Sequence, residues 1–403
     1  MKRTAWDITL NSIMNIKRIF NTLKLYDYRS INFRLIFFVL ALSFFGVAVI
    51  SSASSYRLDV TKQLIGIGVG TVFMIIFMLI RYEFLARYYW LIYLVSLIIL
   101  ALVLIPSIGH KGGVGEGAQR WIQITPTLTI QPSEFAKILL IIFFAALVTK
   151  NAQSLNSWKF LIFTMILAAI PIFLIFREPD LSTSIVTFLS ICVIIFTSTL
   201  QGKYIRRVIL VAVPLVAAVF ALILILPRDH NIVREYQYDR IAGFFNIESE
   251  ELVDEDIDYQ QENAVLAIAG GKLTGKGLNN DSTSSVKNAN FIIAPETDFI
   301  FAVIGEELGF AGAFLVILLL FLIVLECFRI GFRAREGIGK GIAFGFGSII
   351  AFQTLINLGV VTMILPNTGL TLPFVSAGMS SLIVLYIGTG IVLNVGLRLR
   401  ITF

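Results

Sequence analysis

The chain has 403 residues, of which 57% are hydrophobic and only 14% are charged, and its mean hydropathy is +0.87. These values exclude an ordinary soluble domain and indicate an integral membrane protein. A net charge of +6 would suit a nucleic-acid-binding protein, but the basic residues lie in alternate loops between apolar stretches, so we expect no nucleic acid among its partners.

Residues 1–34 form a basic N-terminal segment ahead of the first apolar stretch. They lack the apolar core and small-residue cleavage site of a signal peptide, so the first spanning helix is expected to direct insertion. Ile13, Ile16, Phe20 and Leu23 recur at helical spacing, which predicts an amphipathic helix on the membrane surface. A disordered basic tail is the alternative.

Ten apolar stretches of about 20 residues follow, the length that a helix needs to cross a hydrocarbon layer of about 30 Å. The predicted fold class is an all-α polytopic membrane protein, with ten transmembrane helices in residues 35–400. The predicted spans are 35–54, 63–80, 89–106, 132–149, 159–176, 182–200, 207–227, 299–326, 341–365 and 380–397. The basic loops and both termini then lie on one side, which the positive-inside rule makes cytoplasmic.

Two long loops are expected on the outer, extracellular side, at 107–131 and, between the seventh and eighth spans, at 228–298. The acidic run at 247–258 is typical of a solvated face, with divalent-ion binding as a weaker reading. The stretch 263–278 predicts a short apolar helix that ends at the Gly270–Gly271 pair.

The sequence indicates no cofactor with certainty. Cys192 and Cys327 fall inside or at the end of predicted spans, so no disulfide is expected. His110 and His230 are too few for a typical zinc site. A divalent cation, Mg²⁺ or Mn²⁺, stays possible.

The loop at 107–131 contains two candidate binding residues, Lys111 and Arg120. Trp121 can anchor at the membrane interface, which would hold Arg120 at the depth of phosphate groups. The planar guanidinium of Arg120 suits phosphate oxygens. The alternative is an arginine that reaches ordinary lipid headgroups.

Glu134 and Lys137 are three residues apart at the start of the fourth span, so they share a helix face and can pair. Ionisable groups in a span usually face the protein interior or a wet cavity. The pair is either a structural ion pair or a site where Lys137 offers a cation to an anionic, lipid-borne substrate.

Asp180 lies in the turn "REPD" directly before the sixth span. Its side chain can cap that helix. The alternative is a carboxylate at the mouth of an outer cavity.

Three carboxylates, Asp298, Glu306 and Glu307, occur in the stretch "APETDFIFAVIGEELGF". Asp298 is predicted at the outer start of the eighth span, with the two glutamates two turns deeper. Because they cannot face lipid cheaply, at least one is expected to point into the bundle, toward Lys137 or a backbone amide.

The stretch 365–382, "LPNTGLTLPFVSAGMSSL", interrupts the hydrophobic pattern with prolines and glycines. Irregular backbone at membrane depth is tolerated only where protein or a cavity covers it. We therefore predict that its amides and Ser376 form a wall of a polar pocket.

Six segments in this order, "GAQRWI", "QPSEFAK", "EPDLST", "GKLTGKGL", "TDFIFAVIGEELGF" and the stretch 365–382, resemble the SEDS family (shape, elongation, division and sporulation). The resemblance implies a ten-span peptidoglycan glycosyltransferase that polymerises lipid II on the outer face of the bacterial cytoplasmic membrane. It implies that Asp298 is the essential carboxylate and that Glu134, Lys137 and Asp180 are further functional positions. It also implies a class B penicillin-binding transpeptidase as partner.

Two departures from the family pattern affect the pocket. Many members have histidine where this chain has Glu296, and many have "SYGGSS" where residues 376–381 read "SAGMSS". The candidate base is retained, whereas the lining of the pocket and the subfamily are left open.

The mechanism predicted is displacement at a sugar C1, with Asp298 as the general base. Lys137 and Arg120, with Lys111 or a divalent ion, would stabilise the departing diphosphate, while Glu134, Asp180 and Glu306 would orient these groups. A lipid II flippase or other transporter is the alternative, because buried charges and a broken segment also suit transport. A scaffold for other wall enzymes is a third hypothesis.

Overall fold

A computed structural model describes residues 30–54, 57–111, 119–125, 128–178, 180–198, 202, 255–279 and 294–397. This part of the chain is mostly helical. Its helices are α1 (Phe33–Ala53), α2 (Arg57–Leu79), α3 (Tyr82–Arg87), α4 (Tyr89–Val103), α5 (Pro132–Lys150), α6 (Trp158–Arg177), α7 (Leu181–Phe196), α8 (Glu255–Gly271), α9 (Ile300–Arg333), α10 (Gly337–Val361) and α11 (Met379–Leu397).

Seven of these helices are long and apolar enough to cross a membrane, namely α1, α2, α5, α6, α9, α10 and α11. Helices α4 and α7 are also apolar but have only 15 and 16 residues. The protein is therefore a multi-pass membrane protein. The predicted seventh span at 207–227 and the amphipathic helix in residues 1–34 lie outside the described residues, so the count of ten remains a prediction.

The prediction of an all-α fold is wrong in one place, because the loop between α4 and α5 contains a small antiparallel sheet. Its strands are β1 (Gly109–Lys111), β2 (Gln119–Thr125) and β3 (Leu128–Ile130), in the order β1-β2-β3. Such short strands give no signal in a search for apolar stretches of about 20 residues. The β-branched residues of β2, Ile122, Ile124 and Thr125, favour extended backbone.

Helices α5, α10 and α11 lie at the centre of the bundle and are buried along most of their length. Helices α1, α2, α4, α6 and α9 expose large apolar side chains, as helices that face lipid do. Glycine lets central backbones approach closely, since a Cβ at Gly390 of α11 would lie 2.4 Å from the Met74 carbonyl oxygen of α2.

Helix α9 is broken at Gly309, whose φ of 64° and ψ of −163° are not helical. Residues 310–333 alone are about 36 Å long at the usual rise, which is enough to span a membrane. Residues 300–308, called the half-helix below, are therefore not needed for the crossing. The predicted span at 299–326 contains this break, which a search for apolar residues cannot detect.

The loop that follows α8 completes the hydrogen bonding at this break. The N–H groups of Phe310 and Ala311 donate to the carbonyls of Lys272 and Leu273 at 2.9 and 3.1 Å. In return, the N–H groups of Lys276 and Gly277 donate to the carbonyls of Glu306 and Glu307, both at 2.9 Å. The backbone groups released by the break are thus paired inside the protein, as a membrane environment requires.

Candidate active site at the polar end of the bundle

The polar end of the bundle is the end where α5, α7 and α11 begin and where α1, α6 and α10 end. It includes the turn 294–299, which contains Asp298, and the irregular stretch 362–378 between α10 and α11. This stretch confirms the prediction of an interrupted hydrophobic pattern. Both segments pack on α10.

Asn357, near the end of α10, ties the Asp298 turn to the irregular stretch. Its Nδ2 donates to the carbonyl oxygens of Asp298 at 2.8 Å and of Leu370 at 2.6 Å. The Asn357 side chain is buried, with 1% of its surface exposed. A buried amide that bonds two backbone carbonyls fixes both segments relative to α10.

Ser376 makes a second connection between the same segments. Its buried hydroxyl donates to the Thr297 carbonyl at 2.7 Å and accepts from the Leu372 N–H at 2.8 Å. The N–H of Ala377 donates to the Glu296 carbonyl at 2.9 Å. Ser376 therefore holds the backbone immediately before Asp298, and its role as a substrate contact stays a prediction.

Glu296 occupies the position where many members of the resembled family have histidine. Partial burial raises the pKa of its carboxyl above the ordinary value of 4.5, and the nearby Asp59 carboxylate raises it further. Asp59 in turn accepts a hydrogen bond from the Ser54 hydroxyl at 2.7 Å. The base candidate Asp298 thus lies two residues from a second carboxyl group.

The predicted pair of Glu134 and Lys137 on α5 is confirmed. Lys137 Nζ lies 2.8 Å from Glu134 Oε1, and both side chains are almost fully buried. Lys137 Nζ also donates to Gln353 Oε1 at 3.3 Å, while Gln353 Nε2 donates to the Thr371 carbonyl at 3.0 Å. Since Gln353 and Asn357 are four residues apart on α10, one helix face connects Lys137 with the Asp298 turn.

Arg120 of β2 packs on the turn between α6 and α7. Its Nε donates to the Glu178 carbonyl oxygen at 3.3 Å. The Glu178 side chain is fully buried, and burial raises the pKa of its carboxyl from 4.5 to about 9. The neighbouring Asp180 carboxylate adds to this rise, while the Arg120 guanidinium opposes it.

Asp180 is the N-cap of α7, as one of the two sequence readings predicted. Its Oδ1 accepts from the Thr183 N–H at 3.0 Å, and its Oδ2 accepts from Gln131 Nε2 at 3.0 Å. The side chain is 3% exposed. Asp180 therefore joins the start of α7 to the start of α5.

The prediction that at least one of Glu306 and Glu307 points into the protein is confirmed, since both side chains are 1% exposed, but the partners found are not Lys137. Glu306 Oε1 lies 2.7 Å from Lys276 Nζ, and Glu307 Oε1 accepts from the Ser52 hydroxyl at 2.6 Å. Because Ser52 is next to the last residue of α1, both glutamates lie at the polar end rather than two turns deeper. The break at Gly309 changes the direction of the chain, and sequence spacing alone does not reveal that change.

The described residues do not test two further predictions, the role of Lys111 and a bound divalent cation. Lys111 is the last residue of β1, and its side chain lies outside the description. Across the described ranges, no three His, Cys, Asp or Glu side chains group as metal ligands.

The comparisons with known proteins agree with this architecture. Residues 33–400 match the family FtsW/RodA/SpoVE, described as "Cell cycle protein". The chain belongs to the FtsW/RodA/SpoVE family. This is the SEDS family, so the resemblance drawn from the six segments is confirmed.

Members of the FtsW/RodA/SpoVE family with curated names match over most of their length. "Probable peptidoglycan glycosyltransferase FtsW" of Trichlorobacter lovleyi is 32% identical over 378 residues, which cover 91% of this chain and 93% of that protein. "Peptidoglycan glycosyltransferase MrdB" of Escherichia coli K12 is 33% identical over 361 residues, covering 89% and 91%.

A solved structure described as "Structural coordination of polymerization and crosslinking by a peptidoglycan synthase complex" contains a chain of the same fold. It matches with a TM-score of 0.71 and 25% identity, covering 92% of this chain and 99% of that one.

Three residues of this FtsW/RodA/SpoVE member belong to the site but were not among the sequence predictions. Lys276 lies in the quoted segment "GKLTGKGL", and its charge was the available signal. Gln353 and Asn357 give a weaker signal, as two amides four residues apart in an apolar helix. Polar residues on an otherwise apolar helix are thus a second signal of the site, in addition to the charged residues.

Proposed function

We propose that this protein is a peptidoglycan glycosyltransferase that polymerises lipid II at the outer face of the bacterial cytoplasmic membrane, with Asp298 as general base. The observation that carries the proposal is the position of Asp298 in a turn fixed by Asn357 and Ser376, on the same face of α10 as the buried cation Lys137. The names of the curated relatives support the same activity.

The proposed reaction begins when the Asp298 carboxylate accepts the proton of the acceptor sugar's 4-hydroxyl. The hydroxyl oxygen attacks C1 of the donor sugar, and the bond from C1 to the diphosphate oxygen breaks. The leaving undecaprenyl diphosphate takes the electron pair. Direct attack inverts the anomeric carbon, so an α-linked donor gives a β-linked glycan.

The cations of the polar end are proposed to stabilise the charge that develops on the diphosphate. Lys137 is held by Glu134 and Gln353, so its ammonium group needs little reorganisation during the reaction. Arg120, with its guanidinium fork, suits a phosphate group. Lys111 and a divalent cation would add to this charge, while Asp180, Glu134 and Glu306 would keep the surrounding elements in place.

The proposed topology has ten spans, including 207–227, with both termini in the cytoplasm. It follows from the basic loops and the positive-inside rule. With this orientation, the polar end faces outward, where lipid-linked disaccharide is polymerised. The proposed partner is a class B penicillin-binding transpeptidase, since the matched synthase complex is described as coordinating polymerisation with crosslinking.

Purified protein incubated with lipid II tests the proposal. The wild type should form glycan strands, and Asp298→Asn should reduce the rate by roughly 10²- to 10⁴-fold, the usual contribution of a general base. Glu336→Gln, the same change of charge near the opposite end, is the matched control and should keep the rate.

Polymerisation by Asp298→Asn at the wild-type rate would contradict the assignment of the base. If the wild type does not polymerise lipid II but moves it across vesicle membranes, the protein is a transporter. Activity of the isolated chain would exclude a scaffold as its only role.

A further inference from the structure

We propose that residues 271–277 act as a clamp on the half-helix that follows Asp298, and that Lys276 is a positioning residue for this base through its contact with Glu306. The proposal rests on the function proposed above. It concerns two parts of the chain that the sequence did not connect, the segment "GKLTGKGL" and the turn with Asp298.

The break at Gly309 separates the half-helix from the spanning part of α9. Gly309 adopts a conformation that only glycine takes readily, and the helical hydrogen bonds of Phe310 and Ala311 go to residues 272 and 273 instead. The spanning segment 310–333 therefore cannot fix the direction of the half-helix. Other elements must therefore hold the two ends of the half-helix in place.

The end near Asp298 is held by Asn357 and Ser376, as described above. The far end is held by the clamp, since the N–H groups of Lys276 and Gly277 bond the Glu306 and Glu307 carbonyls. The contact is close, because a Cβ on Gly275 would lie 2.1 Å from the Glu307 carbonyl oxygen. The φ of Gly275 is 79°, so glycine is required there for two separate reasons.

The end of α8 adds a backbone contact in the middle of the half-helix. A Cβ on Gly271 would lie 1.8 Å from the Gly305 carbonyl oxygen, and one on Gly305 would lie 2.8 Å from the Ile268 side chain. Two glycines thus allow α8 and the half-helix to touch directly. This leaves little freedom for the half-helix to shift without moving the clamp.

The ion pair is the part of the clamp that a side-chain substitution can test. Glu306 is 1% exposed, whereas Lys276 is 24% exposed and reaches it from the loop. Without the ammonium group, a buried carboxylate would be left without its cation, and the half-helix would shift to hydrate it. The half-helix is about 13 Å long, so a shift at Glu306 also moves Asp298.

Lys276→Gln should therefore lower kcat by about 100-fold, the effect of misplacing a catalytic group by about 1 Å, with little change in KM. Lys276→Arg keeps the positive charge and should retain most of the activity. Lys272→Gln is the matched control, because Lys272 enters the clamp through its backbone carbonyl, which the substitution keeps, while its side chain is exposed; kcat should stay unchanged.

The double variant Lys276→Gln with Glu306→Gln separates positioning from substrate binding. It removes the buried charge together with its partner, so kcat should recover to within about threefold of the wild type. If Lys276→Gln fails to fold, the kcat of the double variant still tests the proposal.

A double variant that folds but stays as slow as Lys276→Gln would overturn the clamp, as would a raised KM with unchanged kcat. Both results would mean that Lys276 binds substrate directly. Neither would affect the proposed function, which fails if the wild type in the same series does not polymerise lipid II, or the assignment of the base, which fails if Asp298→Asn polymerises it normally.

Discussion

The two parts of α9 have similar apolar sequences but opposite surroundings. In the half-helix, every residue from Ile300 to Glu307 is buried, including two glutamates. In the part after Gly309, large apolar side chains such as Phe310, Phe314 and Phe321 are exposed and face the region of the lipid. Composition does not separate these parts. A single glycine does, because it releases the chain from one straight helix.

The two parts of α9 show how a membrane protein can contain carboxylates close to lipid. Glu306 and Glu307 have partners supplied by the loop after α8 and by α1, and both side chains are 1% exposed. The spanning part contains acidic Glu326 only near the opposite end, where Asn32 donates to it at 2.9 Å. The buried carboxylates of α9 thus lie where other parts of the protein supply partners for them.

The largest effect is expected when the break itself is removed. In Gly309→Ala the new Cβ would lie 2.4 Å from the Gly275 nitrogen, so the backbones of the clamp and of α9 would have to separate. This loss of packing adds to a conformational cost of about 1–3 kcal/mol for a residue other than glycine at this φ and ψ. We expect a large fall in melting temperature and loss of polymerisation. Gly68→Ala is the control, because its Cβ would meet no atom within 4 Å. A Gly309→Ala protein with normal melting and activity would show that the two parts need no separation.

A smaller effect is expected from the buried pair on α5. Lys137→Met leaves Glu134 buried without its cation, which should reduce the free energy of unfolding by about 3–5 kcal/mol. Adding Glu134→Leu should restore most of the melting temperature but not the polymerisation rate, because Lys137 is proposed to contact the diphosphate. If the double variant regains the rate, the pair is purely structural.

Two buried asparagines permit a matched comparison between the ends of the bundle. Asn357 bonds the Asp298 and Leu370 carbonyls, and Asn394 bonds the Met78 carbonyl and the Tyr82 N–H. Alanine at either position should cost about 1–3 kcal/mol, measured by the melting temperature. Only Asn357→Ala should also lower kcat. Equal kcat values for Asn357→Ala and Asn394→Ala would contradict a special role of the polar end in catalysis.

The last prediction concerns the pH dependence of stability rather than polymerisation. Glu178 keeps its proton in the folded protein up to a pKa of about 9, whereas the unfolded chain loses it near 4.5. The folded state binds more protons between these values, so stability falls as pH rises through that window, by at most about 1.4 kcal/mol per pH unit. Glu178→Gln should remove this fall.

Melting curves of Glu178→Gln and wild type between pH 5 and 9 provide the measurement. The advantage of the variant should grow with pH through this range. A constant difference would mean that Glu178 is not protonated in the folded protein. Glu262→Gln, on the exposed face of α8, is a carboxylate control and should show no such trend.

Several features of the site could be predicted from the sequence because they depend on neighbouring residues. The pairing of Glu134 with Lys137 and the capping by Asp180 both follow from a spacing of three residues. The end of α8 at Gly271 could be predicted from the Gly270–Gly271 pair, and the next residue, Lys272, has a positive φ of 50°. Six segments in a fixed order were enough to identify the family.

The sequence by itself determined a multi-pass helical membrane protein and, through six segments in order, its family, because apolar length and local motifs are properties of the chain alone. Only the tertiary structure decided the small sheet, the break at Gly309, the partner of Glu306 and the role of Asn357. The physical reason is the same in each case. Hydrogen bonds and ion pairs such as Lys276 to Glu306, 30 residues apart, form between segments whose approach depends on how the whole bundle packs.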